Sequence, residues 1–488
     1  MSDKKSTKNG FNRRDFLKAG ALSSLFAGPA ILTGCGTTDG VATNGSNGSS
    51  KAKNIIFLVS DGMSTGTLSM ADHMMQRQYN KESTWMKLYR ENRAHRSLMD
   101  MASLDSIVTD SAAAAASWGC GNRLNNGSLN IGPNEEEFRP VLPIFRDAGK
   151  ATGLVTTTEV THATPAGFSA NVPQRGMQDE IAEQYYERDF DVILGGGYRH
   201  FDPDEREDGR DLFADFEAKG YQVVRSKGQL MNYRGSDDKV LGTFYRGHVP
   251  YTTDHMSIDE YKEDIPTLAE MTEVALERLS GNDQGFLLQV EGGRVDHAAH
   301  GNDVAGLIYD QIAFDEAIAK CVAFAEERGD TLVVITTDHG NANPGLNGIG
   351  GGYRDSNDMF DRIQQFKHTN SWILSELNED SSHSDIKDRI YYATEIDIKD
   401  KEAEALLKSL KGDYEALYRA RSRPSAVISY ILANYVAVNW IGSMHTSDYV
   451  ELASLGPGSE YLKEKGFVKN TEMFDLMVET AGVRDYVS

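Results

Sequence analysis

Cysteine is scarce: three in 488 residues. So few cannot staple a chain this long, so a hydrophobic core has to hold it, and the length is ample to bury one. Positive charge is scarce too. Seventy-three acidic side chains face 50 basic ones, a formal charge of −23, which argues against wrapping nucleic acid, itself a polyanion. An anionic substrate would then need local positive charge, and bound metal ions are one source. No internal repeat is visible, and the composition excludes collagen-like, prion-like and disulfide-framework proteins. The apolar stretch Ala19 to Leu32 is too short, and too rich in Gly, Ser and Pro, to span the ~30 Å core of a bilayer. Length alone suggests roughly three domains, yet large α/β enzymes build one sheet from chains of this size.

The first fifty residues read as an address. Lys4, Lys5 and Lys8 precede Arg13-Arg14-Asp15-Phe16-Leu17-Lys18, a twin arginine that resembles a bacterial Tat signal. Leu32-Thr33-Gly34-Cys35 resembles a lipoprotein cleavage box. Residues 1–35 are therefore expected to be a Tat-type signal with a lipobox, cleaved before Cys35, which then carries a diacylglyceryl thioether. The alternative is a plain signal peptide with Cys35 incidental. Residues 36–51, dominated by Gly, Thr, Asn and Ser, are expected to be a flexible tether. The expected location is periplasmic or cell-surface, with the membrane reached through the lipid. Cys120 and Cys321 are expected to be free, buried thiols.

Beyond the tether, short apolar runs end repeatedly in Gly, Asp or His: Ile55 to Val59, Gly153 to Thr156, Val192 to Leu194, Phe286 to Val290 and Leu332 to Thr336. These read as buried parallel strands. Between them, Thr267 to Leu279 opens with the capping-box pattern Thr267-x-x-Glu270, and Val304 to Glu327 is a longer amphipathic run. The alternation predicts an α/β fold: a doubly wound, mostly parallel sheet with helices on both faces. Segments near 202–264 and 345–440 read as insertions on it.

Ligands of such sheets bind beyond the carboxyl ends of the strands. Asp61 follows the first run, Glu291 the Phe286 run, and Asp338-His339 the Leu332 run. Asp338-His339 alone would be more simply a turn or helix cap. Glu291-Gly-Gly-Arg-Val-Asp296-His297-Ala-Ala-His300 adds more acceptors within ten positions. On a helical turn Asp296 and His300 share a face, where a surface ion pair is the bland alternative. Mixed carboxylate and imidazole ligands suit Zn²⁺ better than Ca²⁺ or Mg²⁺. Thr109-Asp110-Ser111 precedes five alanines, so Ser111 falls at a helix N-terminus, where unpaired N–H groups attract phosphate; the simpler reading is an N-cap pair. The Gly-x-Ser-x-Gly elbow is missing around Ser111, which argues against an ordinary Ser-His-Asp hydrolase and leaves a metal as the means of activating the hydroxyl.

Asp61-Gly62-Met63, Thr109 to Ala113, Thr161-His162-Ala163-Thr164-Pro165, Glu291 to His297, Thr337-Asp338-His339 and His445-Thr446 occur in the order found in alkaline phosphatases. From about Asn54 to about Gly458 the chain resembles that family. The resemblance implies one catalytic domain over residues 52–488. It implies a first zinc on Asp296, His300 and His445 and a second on Asp61, Asp338 and His339 with Ser111. It adds a third metal, usually Mg²⁺, on Asp61, Glu291 and Thr164. Arg175 falls where the family holds phosphate with a guanidinium; a solvated loop arginine is the plain alternative. His162 and His297 stand where some relatives carry Asp and Lys, which leaves the identity of the third metal open. The implied substrates are small phosphate monoesters, cleaved through a phosphoserine, and the assembly it suggests is a homodimer.

Two rivals fit less of the sequence. A sulfatase nucleophile needs Pro and Arg at short spacing, which Ser111 to Ala115 lacks, whereas a phosphodiesterase of the same superfamily stays open. A non-catalytic surface lipoprotein that binds metal or phosphate is the reading from another class.

Overall fold

The computed structural model describes residues 51–487, so the segments expected to be a Tat-type signal with a lipobox (1–35) and nearly all of the expected tether (36–51) lie outside the described residues. Ten strands form the central sheet: β1 (Asn54–Ser60), β2 (His95–Asp100), β3 (Ala151–Glu159), β4 (Val192–Gly196), β5 (Tyr221–Val224), β6 (Lys239–Thr243), β7 (Phe286–Gly292), β8 (Thr331–Thr336), β9 (Val450–Leu455) and β10 (Phe467–Lys469). Their order is β10-β2-β9-β8-β1-β7-β3-β4-β6-β5. Every pairing is parallel except those of β9, which runs against both β2 and β8. The expected doubly wound, mostly parallel sheet is what is found.

β1 shows why the sheet is two-sided. Its side chains alternate between faces, and both faces are apolar. Ile56 and Leu58 enter one core, with Met70, Met271 and Ile308 from helices Thr65–Tyr79, Leu268–Ser280 and Val304–Arg328. Ile55, Phe57 and Val59 enter the other, with Trp118, Phe145 and Phe168. A strand buried on both sides has no polar alternation to show, hence the continuous apolar run. Thr267 caps Leu268–Ser280 with the expected reciprocal box, its side chain accepting from Glu270 N–H while the Glu270 carboxylate accepts from Thr267 N–H. Among the described residues Cys120 and Cys321 are buried and unpaired, and burial pushes the Cys120 thiol up to about 12.

Residues 202–264, expected as an insertion, supply strands β5 and β6 and so extend the sheet at one edge. Residues 345–440 leave and return side by side. Pro344–Leu346 pairs antiparallel with Val438–Trp440, and Gly340–Asn341 pairs antiparallel with His445–Thr446. The helices between, His383–Thr394, Asp400–Leu410 and Pro424–Val436, put Ile390, Leu406 and Ile428 into the same core as the first layer. No helix among the described residues is long and apolar enough to cross a membrane.

The helix Ser111–Cys120 is buried along its whole length and lies against Ala163–Ser169 with almost no side chain between. A Cβ on Gly119 would fall 1.9 Å from the Gly167 carbonyl oxygen, and one on Gly167 would fall 2.6 Å from Ala115 Cβ. Backbone-to-backbone contact fixes Ser111 relative to Thr164. Gly119→Val is expected to force the helices apart, lowering stability by roughly 1–3 kcal/mol or more. A fall of several degrees in Tm would show it; a wild-type Tm would contradict this packing.

Candidate active site

Asp61, Asp338 and Glu291 reach the site because β1, β8 and β7 are neighbours in register, Val59 lying opposite both Thr336 and Glu291. The chain turns at Gly62, whose φ is +69° and whose missing Cβ would sit 2.5 Å from Asp296 Oδ1. A side chain there would be strained and would collide with that carboxylate. Asp338 Oδ1 accepts from the N–H groups of Gly62 (2.9 Å) and His339 (3.0 Å). His339 Nε2 lies 3.1 Å from Asp338 Oδ2, 3.7 Å from Asp61 Oδ1 and 3.2 Å from Ser111 Oγ. Ser111 is the first residue of its helix. Asp110 is the N-cap, accepting from Ala113 N–H at 3.0 Å.

The expected helical turn spans Arg294–His300 and puts Asp296 and His300 on one face, Asp296 Oδ2 to His300 Nε2 being 3.4 Å. His445, delivered by its short ladder to Gly340–Asn341, brings Nε2 to 3.1 Å from His300 Nε2 and 3.7 Å from Asp296 Oδ1. His300 Nδ1 donates to the Ser443 carbonyl (2.8 Å) and His445 Nδ1 to that of Thr109 (2.9 Å). Carbonyls only accept, so both protons sit on Nδ1 and the two facing Nε2 atoms are lone pairs. A carboxylate and two lone pairs with no proton among them call for a cation. Imidazoles that spend their other N–H on a carbonyl are typical of metal ligands.

A third cluster joins Asp61, Glu291 and His162, whose ligand atoms lie within 4.8 Å of one another, as do those of Asp61, Asp338 and His339 and of Asp296, His300 and His445. Glu291 Oε2 accepts from Thr158 Oγ1 at 3.2 Å and also from Thr156 Oγ1. Both oxygens of Asp61, Glu291 Oε1, Asp338 Oδ2 and Thr164 Oγ1 are buried without a hydrogen-bond partner among the described residues. Burial, then Asp338, Asp296 and Glu291 nearby, raises the Asp61 carboxyl well above its usual range, and burial pushes Glu291 up to about 7. Burial, with His339 adding, brings His445 down to about 4. So many unpaired acceptors in a dry site are costly on their own. Oxygen and nitrogen donors in these sets fit Zn²⁺ at the Asp296, His300 and His445 cluster and at the Asp61, Asp338 and His339 cluster, and a divalent cation at the third, where carboxylates outnumber the single imidazole.

Arg175 stands at the edge of this group. Its Nη1 donates to Asp110 Oδ2 (3.0 Å) and its Nη2 to His162 Nε2 (3.0 Å). All the residues singled out in the sequence thus gather around Ser111 and the strand ends, with His297 on the same wall as His162, ring centroids 5.6 Å apart. Three neighbours escaped sequence reading. Asn341 Nδ2 donates to Asp296 Oδ1 at 2.6 Å and orients it. The His248 ring packs against His297 at a tilt of 56°, centroids 4.4 Å apart, and Arg294 donates to His297 Nδ1 at 2.8 Å. Asn341 had a signal, its place two residues after His339; His248 had none, since it comes from the acid-rich 202–264 segment.

The family model described as alkaline phosphatase matches residues 52–483. The chain is 30% identical over 437 residues to alkaline phosphatase 4 of Bacillus subtilis, covering 87% of this chain and 88% of that one. To the alkaline phosphatase of Escherichia coli it is 32% identical over 333 residues, 60% of this chain and 70% of the other. The crystal structure of Thermus thermophilus alkaline phosphatase superposes with a TM-score of 0.83 at 33% identity, covering 91% of this chain and 96% of that one.

Proposed function

The chain belongs to the alkaline phosphatase family, and from that premise we propose that it hydrolyses phosphate monoesters through a phosphoserine at Ser111, with zinc in two clusters and a third divalent cation beside them. The observation that carries this reading is the pair of facing Nε2 lone pairs on His300 and His445, 3.1 Å apart beside Asp296. Asp296, His300 and His445 would hold one ion; Asp61, Asp338 and His339 would hold the second, next to Ser111 Oγ; Asp61, Glu291 and Thr164, with His162 near, would hold the third. Bound there, the cations supply the positive charge that the side chains lack, lowering the pKa of hydroxyl and water and offsetting the phosphoryl charge.

The chain's own groups then do the following. The Ser111 oxygen attacks phosphorus in line while the ester P–O bond breaks, leaving an alcohol and a phosphoserine. Water attacks that phosphorus from the vacated side, the Ser111 Oγ–P bond breaks, and inorganic phosphate leaves. Helix-end N–H groups at Ser111 and the Arg175 fork neutralise the non-bridging oxygens. A guanidinium carries five N–H donors, and Asp110 and His162 hold only two of Arg175's, so the rest remain for phosphate. Arg175→Ala is expected to lower kcat/KM by roughly 10²-fold, as removal of one oxyanion donor does elsewhere; an unaltered value would take Arg175 out of phosphate binding.

A monoesterase should turn over p-nitrophenyl phosphate with a far larger kcat/KM than its bis ester; the reverse ratio would make the chain a phosphodiesterase. Arg13-Arg14 and Leu32-Thr33-Gly34-Cys35 support export by a Tat-like route with a lipid on Cys35, and the family resemblance supports a homodimer.

A further inference from the structure

Beside the Arg175–His162 pair lies a second set of hydrogen-bond donors that none of the three clusters uses. Glu159 N–H donates to His248 Nδ1 at 3.1 Å, and Arg294 Nη1 donates to His297 Nδ1 at 2.8 Å. A backbone amide and a guanidinium can only donate, so both Nδ1 atoms act as acceptors and both rings keep their proton on Nε2. Rings in that tautomer present N–H groups; their lone pairs are spent, so they suit an anion and not a metal ion.

Arg294 adds a charge that has no ion pair within 4 Å among the described residues; Glu159, the carboxylate that acts on His248 through space, is itself paired with Arg199 at 2.7 Å and lies 3.5 Å from His200 Nε2. The Arg294 guanidinium lies 3.6 Å over the Tyr251 ring, its Nε is buried without a partner, and Nη1 to His297 is the one hydrogen bond its side chain makes among the described residues. Asp310 acts on it through space but spends its oxygens on Thr252, Oδ2 accepting from N–H (3.2 Å) and Oδ1 from Oγ1 (3.0 Å). His248, Arg294 and His297 are each only partly buried, so solvent reaches this wall. His162 joins it to the phosphate-binding fork, 5.6 Å by ring centroids from both His248 and His297 and 3.0 Å from Arg175 Nη2.

We propose that Arg294, His297 and His248 form an oxyanion subsite for a second phosphoryl group on the same ligand, so that two linked phosphoryl groups bind more tightly than one. The inference rests on the phosphatase reading, whose phosphate seat it extends. The test is calorimetric binding of methylenediphosphonate and of methylphosphonate to the zinc-loaded protein, in the wild-type chain, in Arg294→Gln and in His248→Gln. The wild type is expected to prefer the diphosphonate by at least about tenfold, the worth of one charge-assisted contact. Either variant should cut that preference several-fold and leave methylphosphonate affinity close to wild type. No preference in the wild type, or one unchanged in both variants, as chelation by the metals alone would give, overturns the subsite. Should Arg294→Gln fail to fold, His248→Gln decides. Turnover of p-nitrophenyl phosphate on the same preparations reports separately: its absence in the wild type overturns the hydrolase reading, whereas an unchanged diphosphonate preference overturns only the subsite.

Discussion

Ser111→Ala is expected to lower kcat by roughly 10³-fold or more while leaving metal content and Tm near wild type, because it removes the attacking atom and little else. Among the described residues Ser111 Oγ has one hydrogen-bond partner, His339 Nε2 at 3.2 Å, and the helix keeps its Asp110 cap without the hydroxyl. The loss therefore belongs to chemistry and not to folding. Acid quenching during turnover of a radiolabelled monoester should trap label on the peptide containing Ser111 in the wild type and none in the variant. Unchanged hydrolysis by Ser111→Ala would remove this residue from the mechanism.

Asp61→Asn is expected to act in opposite directions with and without metal. The carboxylate is fully buried, belongs to two of the clusters, and has no hydrogen-bond partner on either oxygen among the described residues. In the metal-free protein burial, then the neighbouring Asp338, Asp296 and Glu291, oppose its ionisation, so an uncharged side chain in its place should raise Tm. With zinc present the same change removes a shared ligand and should lower Tm, metal content and kcat together, kcat by orders of magnitude. The pH dependence follows the same logic. Burial holds Glu291 at about 7, above its ordinary value of about 4.5, so the folded metal-free protein binds more protons than the unfolded chain between those two values. Its contribution to stability is full below the lower one and is lost as pH rises through about 7. Bound cations favour the ionised form and should flatten that slope. Thermal melts across this pH range, with and without zinc, check the sign; Asp61→Asn destabilising the chelated protein would contradict the electrostatic account.

What the sequence made legible follows from which forces act locally. β1, β7 and β8 are buried on both faces, so they stand out as apolar runs, and the residues that end them are Asp61, Glu291 and Asp338. Helix periodicity alone places Asp296 and His300 together. His445 is different. It comes to the site through a two-residue ladder at the end of a long excursion, and spacing along the chain says nothing about that return; only the family resemblance pointed to it. β2, His95–Asp100, is charged at both ends and alternately exposed, so no apolar run betrays it, and β5 and β6 lie in an acid-rich segment of irregular pattern that masks them. Arg175 has no local signal either. Its backbone N–H is held by the Gly127 carbonyl at 2.7 Å and its side chain by Asp110, both contacts made by tertiary structure.

The central claim is that bound cations, not side chains, supply the positive charge that activates Ser111. Its most direct test is p-nitrophenyl phosphate hydrolysis with metal analysis on one preparation: as purified, after exhaustive chelation, and after zinc and magnesium are restored. The account predicts close to two zinc ions per chain with a third divalent ion, near-complete loss of turnover on chelation, and recovery in step with the metal regained. Full turnover by protein shown to be free of metal would contradict it.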